Sequence, residues 1–107
     1  MTSSFFIKII EQSSQRLVAA CDEEIMEMEL LSHGVKIRIS KSFYGKELVT
    51  EKELINEIKR STSVNVIGSR VVDLLLKYRF IHEDAILWFN HPDKKTKIGH
   101  AMLIKDR

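Results

Sequence analysis

Residues 70–79 place Val71, Val72, Leu74, Leu75, Leu76 and Tyr78 around a single expected helix. Arg70, Asp73 and Lys77 fall at i, i+3 and i+7 and form one thin polar stripe. A helix this apolar cannot rest on water along most of its circumference. It needs a sheet wide enough to cover it, and that requirement limits the chain to folds with a helix packed across strands.

The strands for such a sheet are present. FFIKIIE (5–11) and RLVAACD (16–22) are rich in β-branched and aromatic residues, and the link QSSQ has the size of a hairpin loop. VKIRIS (35–40) alternates, which predicts Val35, Ile37 and Ile39 inward and Lys36, Arg38 and Ser40 toward water. His33-Gly34 before it reads as a turn. Residues 23–31 fit a helical turn followed by a short strand. AILWF (85–89) and KIGHAMLIK (97–105) read as a terminal hairpin closed by NHPDKK. A further helix is expected from residue 51, because Thr50 and Glu53 have capping-box spacing. Together these predict a single α+β domain over 1–107: a mainly antiparallel sheet of about five strands, with two helices on one face.

At 107 residues the chain can hold one modest core. The net charge of +2 excludes bulk electrostatic attraction to polyanions and leaves only local patches. DEEIMEME (22–29) is acidic and is expected to be a solvated turn. The C-terminal stretch is basic through Lys94, Lys95, Lys97, Lys105 and Arg107. One cysteine, Cys21, excludes an intrachain disulfide and fits a cytoplasmic setting. No run reaches the roughly 18 apolar residues of a membrane span, and no signal-type block opens the chain.

Several positions invite chemistry. Gly68-Ser69-Arg70 opens the apolar helix, with Ser69 the expected N-cap and an anion-attracting end beside Arg70. Against an anion site stands a plain ion pair of Arg70 with Asp73 or a strand carboxylate. VIGSRV lacks the second glycine and the lysine of phosphate-binding loops. Phe43 is expected to close the core. Tyr44 either offers a stacking surface or packs on the helix that starts at 51. His100 should share a face with Ile98, Met102 and Ile104 as a hydrogen-bonded core residue, with Gly99 and Ala101 opposite allowing close approach. Cys21, His33, His82, His91 and His100 lack paired zinc-ligand spacing. Cys21 reads as a small core side chain. No cofactor is expected, and no catalytic signature is present.

VAACDEE (18–24), SFYG (42–45), VNVIGSR (64–70) and GHAMLI (99–104) resemble the short archaeal proteins grouped as domain of unknown function four-two-four. The resemblance runs over nearly the whole chain. Its marks fall on Cys21, Asp22, Phe43, Tyr44, Gly45, Asn65, Gly68, Arg70 and His100. Met102 stands where a glutamine is associated with the family. The resemblance implies a compact cytosolic protein accompanying the translation apparatus.

Residues and resemblance together give the leading expectation: a non-enzymatic RNA-binding accessory protein of the archaeal ribosome or translation machinery, seated on the small subunit. Its partners would be ribosomal RNA or ribosomal proteins. It would be a monomer on its own or a homodimer, without membrane contact. Lys36, Arg38, Tyr44, Asn65, Ser69, Arg70, His91, Lys94, Lys95, Lys97 and His100 are the expected contacts, lysines on phosphates and Tyr44 or His91 on an unpaired base. The alternative is a protein-interaction or ligand-binding module that uses the acidic patch and strand 99–101.

Overall fold

The computed structural model describes residues 4–32, 34–93 and 95–105. His33, Lys94 and Arg107 therefore lie outside the described residues. Among the described residues, eight strands and three helices follow one another. They are β1 (Ser4–Gln12), β2 (Gln15–Asp22), β3 (Glu29–Ser32), β4 (Val35–Arg38), α1 (Lys41–Tyr44), β5 (Glu47–Thr50), α2 (Glu51–Lys59), β6 (Ser63–Ile67), α3 (Ser69–Lys77), β7 (Leu87–Asn90) and β8 (Lys97–Ile104). Single 3₁₀ turns occupy Glu23–Ile25 and Glu83–Ala85.

One sheet runs β4-β3-β7-β8-β6-β2-β1-β5. Only β2 and β6 pair in parallel; the other neighbours are antiparallel. The expected α+β class is present, but the sheet is wider and mixed rather than five-stranded. β5 and β6 were missing from the expectation, and α1 is an additional short helix. The Cα radius of gyration, 13.3 Å, suits one compact body of this length, for which about 13 Å is expected.

Both faces of the sheet are covered in its middle. On one face α2 and α3 bury Phe5, Ile7, Val18, Ala20, Val64, Val66 and Ala101 against Leu54, Ile55, Ile58, Val71, Val72 and Leu75. Alternation then sends Ala19, Cys21, Ile67 and Ile98 to the other face, where Ile25, Leu30, Ile39 and Tyr44 cover them. The capping box at the start of α2 is complete. Thr50 Oγ1 accepts from Glu53 N–H at 3.2 Å, and Glu53 Oε1 accepts from Thr50 N–H at 2.8 Å.

β4 corrects the expected alternation. Ile39 is buried, but Val35 and Ile37 are 59% and 37% exposed. β4 is the outer strand, and little lies over either of its faces. The helix at 70–79 also starts differently: Gly68 is its N-cap and Ser69 its first residue. Tyr78 lies at its C-cap and is exposed rather than buried.

Candidate nucleic-acid interface

The helices shade only part of their face of the sheet. Beyond β8, the strands β7, β3 and β4 turn outward side chains to solvent. The pairings Lys36↔Leu31, Leu31↔Asn90 and Asn90↔Lys97 put these four residues in one row across four strands. All four are exposed. Three strand gaps place the ends of the row about 14 Å apart. Arg38 lies on the same face, opposite Glu29. That pair is 3.9 Å apart with both side chains more than half exposed, so it restrains Arg38 little.

Trp88 completes this surface, and the sequence reading did not single it out. It pairs with Gly99 on the helix-bearing face and is 50% exposed. A Cβ at Gly99 would lie 3.1 Å from Trp88 Cζ3 and 3.2 Å from Val72 Cγ2. The missing side chain at Gly99 thus leaves room for the edge of the indole over the strand, with half of Trp88 exposed. A seated but accessible indole beside a row that ends in cations can serve as a stacking platform. The small residue at 99 was the available signal, since a glycine in a strand marks a close approach.

The connection from β7 to β8 adds Lys95, which is exposed. His91 does not offer a free ring. Its ring Nδ1 accepts from Asp93 N–H at 3.0 Å, and its backbone N–H donates to Thr96 O at 3.1 Å. Asp93 is likewise drawn into the turn, accepting from Lys95 N–H at 2.8 Å and Thr96 N–H at 3.1 Å; these bonds, led by Lys95, hold its carboxyl below the usual range. Among the described residues, this surface carries the cations Lys36, Arg38, Lys95 and Lys97 and the carboxylates Glu29 and Asp93. Lys105 is elsewhere, bonded through Nζ to Ile58 O.

Tyr44, Asn65 and His100 meet on the opposite face. Asn65 Oδ1 accepts from the Tyr44 hydroxyl at 2.8 Å and lies 3.0 Å from His100 Nε2. Burial pushes His100 down, so its ring is neutral and Nε2–H serves as the donor. Burial also pushes the Tyr44 hydroxyl up, and the Cys21 thiol up to about 12, so neither ionises near neutral pH. Tyr44 is therefore neither an exposed stacker nor packed on α2. It belongs to the second core, edge-on to half-buried Phe43 with ring centres 4.8 Å apart. His100 has the expected face and the expected hydrogen bond. Met102 and Ile104 on the same face are 63% and 82% exposed. Tyr44→Phe is expected to cost about 1 kcal/mol in urea unfolding and to leave RNA affinity unchanged.

Ser69 and Arg70 do not join either group. Two of the donors at the start of α3 are already taken: Asp22 Oδ2 and Oδ1 accept from Arg70 N–H and Val71 N–H, each at 2.8 Å. The Arg70 guanidinium turns toward β1. It grips Glu24 at 2.8 and 2.7 Å, donates to Ser4 O at 2.9 Å and lies 4.7 Å from the centre of the Phe5 ring. Arg70 holds Glu24 below its usual range. Its partner is a carboxylate just after β2, not Asp73. The acidic run is accordingly not all solvated, since Asp22 is 1% exposed. Among the described residues no three His, Cys, Asp or Glu side chains converge as a metal site, and no helix is long and apolar enough to cross a membrane.

The fold and this surface define an α+β protein with a mixed sheet, partly bare on one face and basic there. The chain belongs to the family described as protein of unknown function DUF424, whose pattern matches residues 10–100. It is similar in fold to the crystal structure of an uncharacterized conserved protein from Methanopyrus kandleri. That likeness has a TM-score of 0.74 and 17% sequence identity, covering 94% of this chain and 90% of the other. No curated protein matches it.

Proposed function

We propose that this protein is a non-enzymatic RNA-binding accessory factor that holds an unpaired RNA segment on the bare face of β4, β3, β7 and β8. One observation carries the reading: Lys36 and Lys97 end a single exposed row, with Trp88 accessible on the same face two residues along β7 from Asn90. Lys36, Arg38 and Lys97 neutralise phosphates, and Trp88 stacks on a base. Sheet faces that carry aromatic side chains suit single strands, whose bases are free to splay out. A ribosomal partner, with the small subunit as the seat, extends this reading through the family resemblance. The near-neutral total is compatible with it, because the charge that matters is local.

The test is fluorescence anisotropy with a short single-stranded RNA at two salt concentrations. Three neutralised phosphates give a log–log slope of about −2, so affinity falls roughly twentyfold from about 50 to about 200 mM salt. Lys36→Ala with Lys97→Ala should flatten that slope to about −0.7. Trp88→Ala should weaken binding by about 1–3 kcal/mol and leave the slope alone. A chain that neither binds RNA at low salt nor co-sediments with ribosomal subunits excludes this function.

A further inference from the structure

The two edges of the sheet are finished differently. At the β5 edge, Val49 and Thr50 are half-buried and α2 follows without a break. At the other edge, all four residues of β4 are exposed, two of them β-branched and apolar. Bare edges are normally blunted by charge or cover. Lys36 and Arg38 supply charge, but Val35 and Ile37 are the residues that such protection would remove.

The ladder shows which main-chain groups of β4 are free. Ile39 N–H donates to Met28 O at 3.0 Å, and Glu27 N–H donates to Ile39 O at 2.7 Å, so residue 39 is spent on the inner side. Antiparallel pairing alternates with a period of two. Ile37 and Val35 therefore also face β3, while the N–H and C=O of Lys36 and Arg38 point away from the sheet.

We propose that β4 is a docking edge for an extended segment of another protein that alternates acidic and apolar residues. A strand added outside β4 shares its faces. On one face its carboxylates lie beside Lys36 and Arg38, as Glu29 already does from the inner side. On the other face its apolar side chains continue Val35 and Ile37. There a cavity of about 70 Å³ has Ile37, Arg38 and Ile39 on its β4 side and Ile67, Phe89, Tyr44 and His100 as its remaining wall. A second copy of β4 is a poor occupant, because antiparallel pairing would set Lys36 and Arg38 against their own counterparts. The docking edge shares Lys36 and Arg38 with the proposed RNA surface but not Trp88 or Lys97, and it does not rest on RNA binding, since its readout is the outward main-chain groups of β4.

Amide hydrogen exchange of the full chain, read by NMR, tests it with two synthetic peptides of about eight residues, one alternating Glu and Val, the other Lys and Val. The Glu/Val peptide at millimolar concentration should slow exchange at Lys36 and Arg38 about tenfold or more, with little change at Val35 and Ile37. The Lys/Val peptide should leave both unchanged. Lys36→Pro removes an outward donor and should abolish the protection at Arg38 while the thermal midpoint holds. Lys36→Glu should weaken the response to the Glu/Val peptide and confers a response to the Lys/Val one. Equal protection by both peptides, protection at Glu47–Thr50 instead, protection that grows with protein concentration alone, or none at all overturns the proposal.

Discussion

Gly45→Ala is expected to leave little folded protein. Gly45 is the C-cap of α1, its N–H donating to Lys41 O at 2.8 Å, and its φ is 94°. That alone disfavours a side chain. The larger obstacle is the neighbouring main chain. A Cβ at this position would stand 2.0 Å from the carbonyl oxygen of Ile7 and 2.6 Å from its carbon. A side-chain tip can rotate away from such a collision, but β1 cannot, because it is paired on both sides with β2 and β5. The cost should exceed about 4 kcal/mol, a large share of the roughly 5–15 kcal/mol that holds a domain together. Gly34→Ala is the control. Its φ is 79°, yet nothing lies within 4 Å of the added carbon, so only backbone strain of about 1–2 kcal/mol is charged. Urea unfolding of the two variants measures the difference. A Gly45→Ala midpoint close to that of Gly34→Ala would mean that β1 yields, and the contact would not be limiting.

Local signals were legible in the sequence and pairings were not. Thr50 and Glu53 form the capping box that their spacing implies, because both partners lie in one turn. The SVNVI of β6 escaped notice for a physical reason. Its alternation covers only Ser63–Val66 before Ile67, also buried, breaks it, and α3 begins two residues later, so the segment is too short to stand out by periodicity. β5 has four residues and is followed at once by α2, which leaves no turn signal between them. At β4 the alternation was real, but alternation says which residues share a face and not whether anything covers it.

The candidate interface shows the same limit. Lys36, Leu31, Asn90 and Lys97 come from four strands, and only the order β4-β3-β7-β8 lines them up. Trp88 within AILWF carries no mark of its own beyond its place in a strand, and which face it takes depends on its pairing with Gly99. Tyr44, Asn65 and His100 were chosen on separate grounds, and the fold brings them together through one amide oxygen. Arg70, which attracted attention as a cation at a helix start, is answered from within the chain. Asp22 fills the helix end and Glu24 the guanidinium, 48 and 46 residues away in sequence.

Asp22 is where the second large effect is expected. Asp22→Ala leaves the N–H groups of Arg70 and Val71 without acceptors at a buried helix start, and each buried unsatisfied donor costs about 1–3 kcal/mol. A loss of about 3 kcal/mol is expected near pH 5. The loss should depend on pH in a particular direction. Burial raises Asp22 from 3.8 to about 6, outweighing the two N–H donors and Arg70, which pull the other way. Between these values the folded chain keeps a proton that the unfolded chain has released. The contribution of Asp22 is therefore fully present below about 4 and is lost as pH rises through about 6. Asp22→Asn does not titrate there, so the advantage of the natural residue over asparagine should shrink by up to about 3 kcal/mol from pH 4 to pH 7. An advantage that grows with pH would mean that the donors prevail over burial. Gly68 supplies an independent check of the same geometry. Its φ is 133°, and a Cβ there would fall 2.3 Å from Asp22 Cγ. Gly68→Ala should thus be severe in the natural chain and milder once Asp22 is alanine, because the collision partner is gone and only the strained φ remains. A double variant whose loss equals the sum of the two single losses would separate the glycine from the carboxylate and leave α3 without the start described here.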